Sequence, residues 1–92
     1  MKNVIFKHPI SMMGITSINL ERSATVLNAK EQGGKIVLYV RQDLDLLPTE
    51  ATRCFRCVPT GVLDPTLDLN TAIFIDTVML NSNTLVFHIY EV

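Results

Sequence analysis

The sequence predicts an all-β domain, a compact antiparallel β-sandwich or open barrel of about seven short strands. Three observations carry that expectation. Short runs rich in Val, Ile, Thr and aromatic residues alternate apolar with polar side chains at period two. Gly, Pro, Asn and Asp separate those runs at short intervals. No segment keeps helical periodicity for more than about two turns.

The elements follow in order. Asn3 to His8 reads as a strand closed by Pro9, which has no N–H to give a ladder. Ile15 to Leu20 alternates Ile15, Ser17 and Asn19 against Thr16, Ile18 and Leu20, with Gly14 marking the turn before it. Ala24 to Glu31 is a third strand. Gln32-Gly33-Gly34-Lys35 signals a hairpin, because two glycines supply the positive φ angles of a primed turn. Lys35 to Gln42 is apolar on both faces, the pattern of a central strand. Asp43 to Glu50 reads as a loop or a single helical turn ended by Pro48. Ala51 to Val58 is a fifth strand, and Pro59 to Asn70 is the longest irregular stretch. Thr71 to Leu80 and Thr84 to Val92 form the last pair, joined by Asn81-Ser82-Asn83. In the final strand Leu85, Phe87, Ile89 and Glu91 point one way, and Val86, His88, Tyr90 and Val92 the other. Three rings and several branched aliphatics in this segment place the C-terminal run inside a sheet.

Ninety-two residues make one domain, residues 1–92, with a thin core; a chain of this size buries only about 60–65% of its surface on folding. Hydrophobic residues are 48% and charged residues 18%, against roughly 25% charged in ordinary domains. That excess of apolar surface implies a homo-oligomer with part of a sheet buried between subunits. A net charge of −1 supplies no basic field for a nucleic-acid polymer and too little acid to imitate one. No stretch approaches the ~20 apolar residues of a membrane-spanning helix, and the opening residues lack the pattern of a signal peptide. The expectation is a soluble intracellular protein with reduced cysteines.

Cys54-Phe55-Arg56-Cys57 has the letters of C-x-x-C without its setting. Redox pairs sit at a helix N-terminus, whereas residues three apart on a strand face opposite ways about 10 Å apart. Two buried thiols filling the core are the expectation. Arg53 shares a face with Phe55 and Cys57, and Arg56 shares one with Cys54 and Val58; Arg41 ends the central strand. Each arginine has the rigid donor fork that suits phosphate, and each has a plainer use in ion pairs with Asp43, Asp45 or Glu50. Tyr39, His88 and Tyr90 are aromatic side chains on β surfaces, positions from which bases are stacked. His8 and His88 would make a metal pair only on neighbouring strands. No nucleophile-base constellation or glycine-rich phosphate loop is present, so the chain makes no case for catalysis, a cofactor or a metal.

The opening Val4 to Ile10, the stretch Thr16 to Leu20, the hairpin Ala24 to Val40, the strand Thr52 to Arg56, the Thr60-Gly61 turn and above all Val86 to Val92 resemble a family of small phage-encoded β-rich proteins of unknown function. The loop from Val62 to Asn70 and the two cysteines depart from that pattern. The resemblance implies a phage gene product in the host bacterial cytoplasm. It points to the small, oligomeric, non-enzymatic kind that includes anti-CBASS sponges, which bind a cyclic di- or trinucleotide immune signal and withhold it from its effector. Arg53, Arg56, Arg41, Tyr39, His88 and Tyr90 are the residues such a pocket would use. The alternatives are a protein-binding inhibitor of a host protein and an accessory virion protein.

Overall fold

A computed structural model describes residues 2–44 and 50–92. The strands are β1 (Asn3–Ile10), β2 (Ile15–Glu21), β3 (Thr25–Gln32), β4 (Lys35–Asp43), β5 (Glu50–Pro59), β6 (Ile73–Leu80) and β7 (Leu85–Glu91). They pair antiparallel in a three-stranded sheet of order β1-β4-β3 and a four-stranded sheet of order β2-β5-β7-β6. The all-β class and the seven antiparallel strands are as expected, and of the two architectures anticipated, sandwich or open barrel, the fold is a sandwich, open at its margins. The expected loop or helical turn ended by Pro48 falls on residues 45–49, outside the described residues.

β4 is central in its sheet, as its doubly apolar pattern requires. Ile36, Leu38 and Val40 are buried on one face and Val37 on the other. The β3–β4 hairpin closes at Gln32 opposite Lys35, with Gly33 and Gly34 at φ 60° and 79°. Both angles are left-handed, the condition for a two-residue type I′ turn. β1 continues through Pro9 to Ile10 rather than stopping before the proline. It is an edge strand, and an edge tolerates proline where the missing N–H faces away from the neighbour.

The core lies between the sheets. Leu20, Phe55 and Ile89 from the four-stranded sheet pack with Ile36, Leu38 and Val40 from the other, and all six are essentially sealed from solvent. Cys57 belongs to this core. Cys54, on the opposite face of β5, is half-buried with its Sγ 3.4 Å from Ser17 Oγ. Only one of the two thiols is thus buried in the core, although the two do face opposite ways. Burial pushes the Cys57 thiol up to about 11, so it stays protonated and inert.

β3 of one sheet runs beside β6 of the other. Each is bulged at the seam, between Val26 and Asn28 and between Phe74 and Asp76. Asp76 stitches the strands: its Oδ2 accepts from the Ala29 N–H at 3.2 Å and meets Lys30 Nζ at 3.4 Å. β5 and β6 both run antiparallel to β7, which lies between them, so they are mutually parallel and the segment 60–72 must cross β7. Arg56 points away from the core and pairs with Asp64 of this segment, so the crossing passes over the outer face of the four-stranded sheet.

The β6–β7 turn holds Asn81, Ser82 and Asn83 at φ 51°, 55° and 68°. Left-handed backbone costs an L residue about 1–2 kcal/mol, and asparagine tolerates it better than serine. Ser82→Gly is expected to raise stability by up to about 1 kcal/mol, read as a higher urea midpoint with an unchanged m-value.

Candidate functional site

The sequence-predicted site residues fall in three places. Tyr39 and Arg41 lie on the outer face of the three-stranded sheet. There Tyr39 is half-buried, with its hydroxyl donating to Gln32 Oε1 at 3.3 Å, and Arg41 is exposed. Arg53 points into the sandwich at one end. Arg56, His88 and Tyr90 share the outer face of the four-stranded sheet. The last three are brought together; Tyr39, Arg41 and Arg53 are not brought to them.

Arg53 is occupied by the fold. Its Nε and Nη2 donate to the two carboxylate oxygens of Glu91, both at 2.7 Å, and Nη1 donates to the Ala24 carbonyl at 2.6 Å. The two-pronged pair matches a planar guanidinium to a planar carboxylate, and the third bond fastens the chain where it passes from β2 to β3. Glu21 completes this end by accepting from the Ser23 N–H at 2.9 Å and hydroxyl at 2.7 Å. The Glu91 hydrogen bonds raise the Arg53 pKa further, against partial burial. Among the described residues Arg53 pairs with Glu91 and Arg56 with Asp64; of the expected partners, Asp45 and the side chain of Glu50 lie outside what the structure describes. Glu91 follows Ile89 at period two on the core-facing side of β7, so it arrives beside Arg53 without leaving the strand.

On the outer face, strand register sets Ile15, Arg56, Tyr90 and Phe74 in one row across β2, β5, β7 and β6. The Phe74 and Tyr90 rings meet edge to face, with centroids 5.6 Å apart and planes at 69°, a favoured aromatic geometry. Phe74 is 55% exposed. In the next row Val58, His88 and Thr77 lie side by side. The His88 ring is held at both nitrogens, with Thr60 Oγ1 2.7 Å from Nε2 and Thr77 Oγ1 3.0 Å from Nδ1. The two threonine hydroxyls thus fix the imidazole without a carboxylate. His8 lies on β1 in the other sheet, so no histidine pair forms. Among the described residues no cluster of His, Cys, Asp and Glu is arranged to hold a metal ion.

The crossing segment roofs part of this face. Thr60 anchors its start, donating its N–H to the Val86 carbonyl at 3.0 Å. Asp64 closes a side-chain turn, accepting from the Thr66 hydroxyl at 2.6 Å and N–H at 3.0 Å while pairing with Arg56 Nη2. Between this segment and the β1–β2 loop lies an open apolar cleft of about 330 Å³, walled by Met12, Met13, Val62 and Leu63, with the Arg56–Asp64 pair at its edge. Phe74, Asp64 and Thr60 join this face although the sequence pattern did not place them there. Phe74 sits on a strand whose bulge shifts its register, and the other two lie in an irregular stretch where sequence periodicity says nothing about placement.

Chemically the face offers flat aromatic surface, a partly neutralised guanidinium and a pinned imidazole.

Two outcomes follow. Arg53→Ala is expected to cost about 2–4 kcal/mol, because it strands a half-buried carboxylate and a carbonyl. Arg53→Lys is expected to recover little of that loss, since an ammonium lacks the fork; urea denaturation checks both. The Thr66 hydroxyl and N–H hold Asp64 below its ordinary value, with Arg56 adding a smaller pull, and the Ser23 hydroxyl and N–H do the same for Glu21. Both carboxyls are easier to ionise folded than unfolded. Their contribution is therefore complete above the ordinary carboxylate range and is lost as pH falls through the lowered folded values. Thermal unfolding followed against pH should show an acid limb that is flatter in the Glu21→Gln, Asp64→Asn double variant.

No curated protein and no solved structure matches the chain. A family model does match, described as a domain of unknown function, DUF7352, over residues 1–92. The match runs through both sheets, the Arg53 clamp and the crossing segment alike, and the chain belongs to the DUF7352 family.

Proposed function

We propose that this protein is a non-enzymatic capture protein of phage origin that works in the host bacterial cytoplasm and sequesters a cyclic di- or trinucleotide immune signal. The observation that carries the reading is the row Arg56–Tyr90–Phe74, which sets a guanidinium beside two edge-packed rings on one sheet face. A nucleobase stacks on a half-exposed ring with sequence-tolerant affinity of about 1–3 kcal/mol. A phosphate is met by the guanidinium fork, which has five donors and uses Nη2 on Asp64. Asp64 opposes the phosphate by charge and keeps its own turn through Thr66, so it tunes affinity. Sequestration needs binding without turnover.

The test is a thermal-shift and calorimetric screen against cyclic di- and trinucleotides, with linear nucleotides as controls. A ligand at a hundred times its dissociation constant adds about 2.7 kcal/mol of stability. One cyclic ligand should bind and be recovered chemically unchanged. Arg56→Ala should abolish that binding with the fold intact, and Asp64→Asn should strengthen it a few-fold. Absence of any cyclic nucleotide binding tighter than millimolar would sink the proposal.

A second reading, a protein-binding inhibitor of a host protein, draws on β1, the outermost strand of its sheet among the described residues, where Ile5 and Phe6 are exposed. An open apolar edge accepts an extended partner segment by strand addition. That reading requires a host protein in pull-downs, retained when Arg56 is replaced.

A further inference from the structure

The net charge of −1 averages two unlike surfaces. Strand register arranges the outer face of the three-stranded sheet in rows across β1, β4 and β3. Ile5, Arg41 and Thr25 form one row, Lys7, Tyr39 and Asn28 the next, and Pro9, Val37 and Lys30 the third; Lys35 and Gln32 end the face at the hairpin. Four cations therefore share one side of one sheet, and Lys7, Lys30, Lys35 and Arg41 are all exposed. Lys30 is engaged by Asp76 at the seam. Lys7, Lys35 and Arg41 have no ion-pair partner among the described residues. The one described acid that alternation puts on this side, Asp43, lies beyond Arg41 at the end of β4, opposite Asn3.

Tyr39 lies down among these cations. Its hydroxyl donates to Gln32 Oε1 at 3.3 Å, yet the residue opposite it on β3 is Asn28. Gln32 is four residues further along β3, about 13 Å at ~3.3 Å per residue. The ring must therefore lean along the sheet instead of standing on it. Its path runs over the row of Val37, which faces outward yet is only 5% exposed. A ring laid down in this way covers the sheet with one face and turns the other to solvent, the geometry of a stacking platform. Lys7 lies beside it in its own row and Arg41 one row behind, and Lys30 and Lys35 flank the direction in which it points. From Arg41 to Lys35 the basic strip runs six residues along β4, about 20 Å.

Unpaired cations spread over a flat face, with a ring lying at their centre, complement a flexible chain of negative charges that carries flat groups beside them. We infer that the outer face of the three-stranded sheet binds single-stranded nucleic acid, with Lys7, Lys35 and Arg41 meeting phosphates and a base stacking on Tyr39. A duplex keeps its bases stacked inside and offers a flat sheet only its phosphates. An acidic peptide would meet the cations and leave the ring unused. The single strand is the occupant because it engages both the charge and the ring. This face belongs to a different sheet from the row Arg56–Tyr90–Phe74, so either surface stands if the other fails.

The experiment is fluorescence anisotropy of labelled oligothymidylate and oligoadenylate titrated with the intact protein at several salt concentrations, beside a duplex of the same length and polyglutamate. Both single strands should bind at about 50 mM salt. The logarithm of the association constant should fall against that of salt with a slope of about −2, because three phosphate contacts contribute about −0.7 each. Lys7→Ala and Arg41→Ala should each weaken binding several-fold and flatten the slope by about 0.7. Tyr39→Leu should weaken binding about ten-fold at an unchanged slope, and Tyr39→Phe should retain most of it. Lys7 and Arg41 are exposed and have no ion pair to lose, so their variants should keep the wild-type far-UV circular dichroism spectrum. Met79→Glu, an exposed site on the outer face of the other sheet, should bind as the wild type does. Absence of single-strand binding at about 50 mM salt overturns the inference, and so does binding that survives Lys7→Ala and Arg41→Ala combined. A duplex or polyglutamate bound as tightly as the single strands, or binding indifferent to Tyr39→Leu, overturns the single strand as the occupant.

Discussion

The two-pronged Arg53–Glu91 pair is the constraint on which the end of the sandwich depends. A cation directed into the space between two sheets is tolerated only when its donors are met, and here three guanidinium nitrogens are met by two partners. Glu91 comes from the last strand. The Ala24 carbonyl comes from the turn that carries the chain from one sheet to the other, and Glu21 shapes that turn through Ser23. The pair therefore fastens β5 to β7 within one sheet and to the passage between sheets. The hydrophobic layers of Phe55, Ile89, Leu38 and Val40 hold the sheets together without direction; the arginine sets where one sheet ends against the other.

At the seam a carboxylate does related work. Bulges in β3 and β6 prevent a continuous ladder there, and Asp76 supplies acceptors to the Ala29 N–H and to Lys30. The body remains an open sandwich because the contact passes through one side chain instead of a row of backbone bonds. The opposite margins, β1 and β2, are edges, and Ile5 and Phe6 on the one and Ile15 on the other remain exposed.

The placement of β7 between β5 and β6 links fold to site. Inserting the last strand between two parallel neighbours obliges the preceding connection to cross the sheet. That crossing brings Thr60 to His88 and Asp64 to Arg56. The outer face becomes a row of rings and a guanidinium under a partial roof, with an apolar cleft at its margin.

Much of this was decided by local sequence. Period-two alternation determined which side chains of β2, β5 and β7 share a face, and so that Cys54 and Cys57 face opposite ways; that Cys57 is the one in the core was decided by the packing of the sheets. The glycine pair at 33–34 determined the β3–β4 hairpin, and the doubly apolar run after it determined a central strand. Alternation also put Arg56 with Cys54 and Val58, and His88 with Tyr90, because period two is a property of the strand itself. What alternation cannot carry is which strands become neighbours. That depends on contacts between residues far apart in the chain, and these are formed only when the sheets pack. Hence Arg53 reads in sequence like Arg56, yet one is consumed by Glu91 and Ala24 while the other reaches the surface. Tyr39 and Arg41 likewise have the side chains of a binding residue but belong to a different sheet. The sequence by itself determined a small, apolar, all-β chain and the face of most side chains. Only the tertiary structure decided that β7 lies between β5 and β6, and with it which of the candidate residues meet.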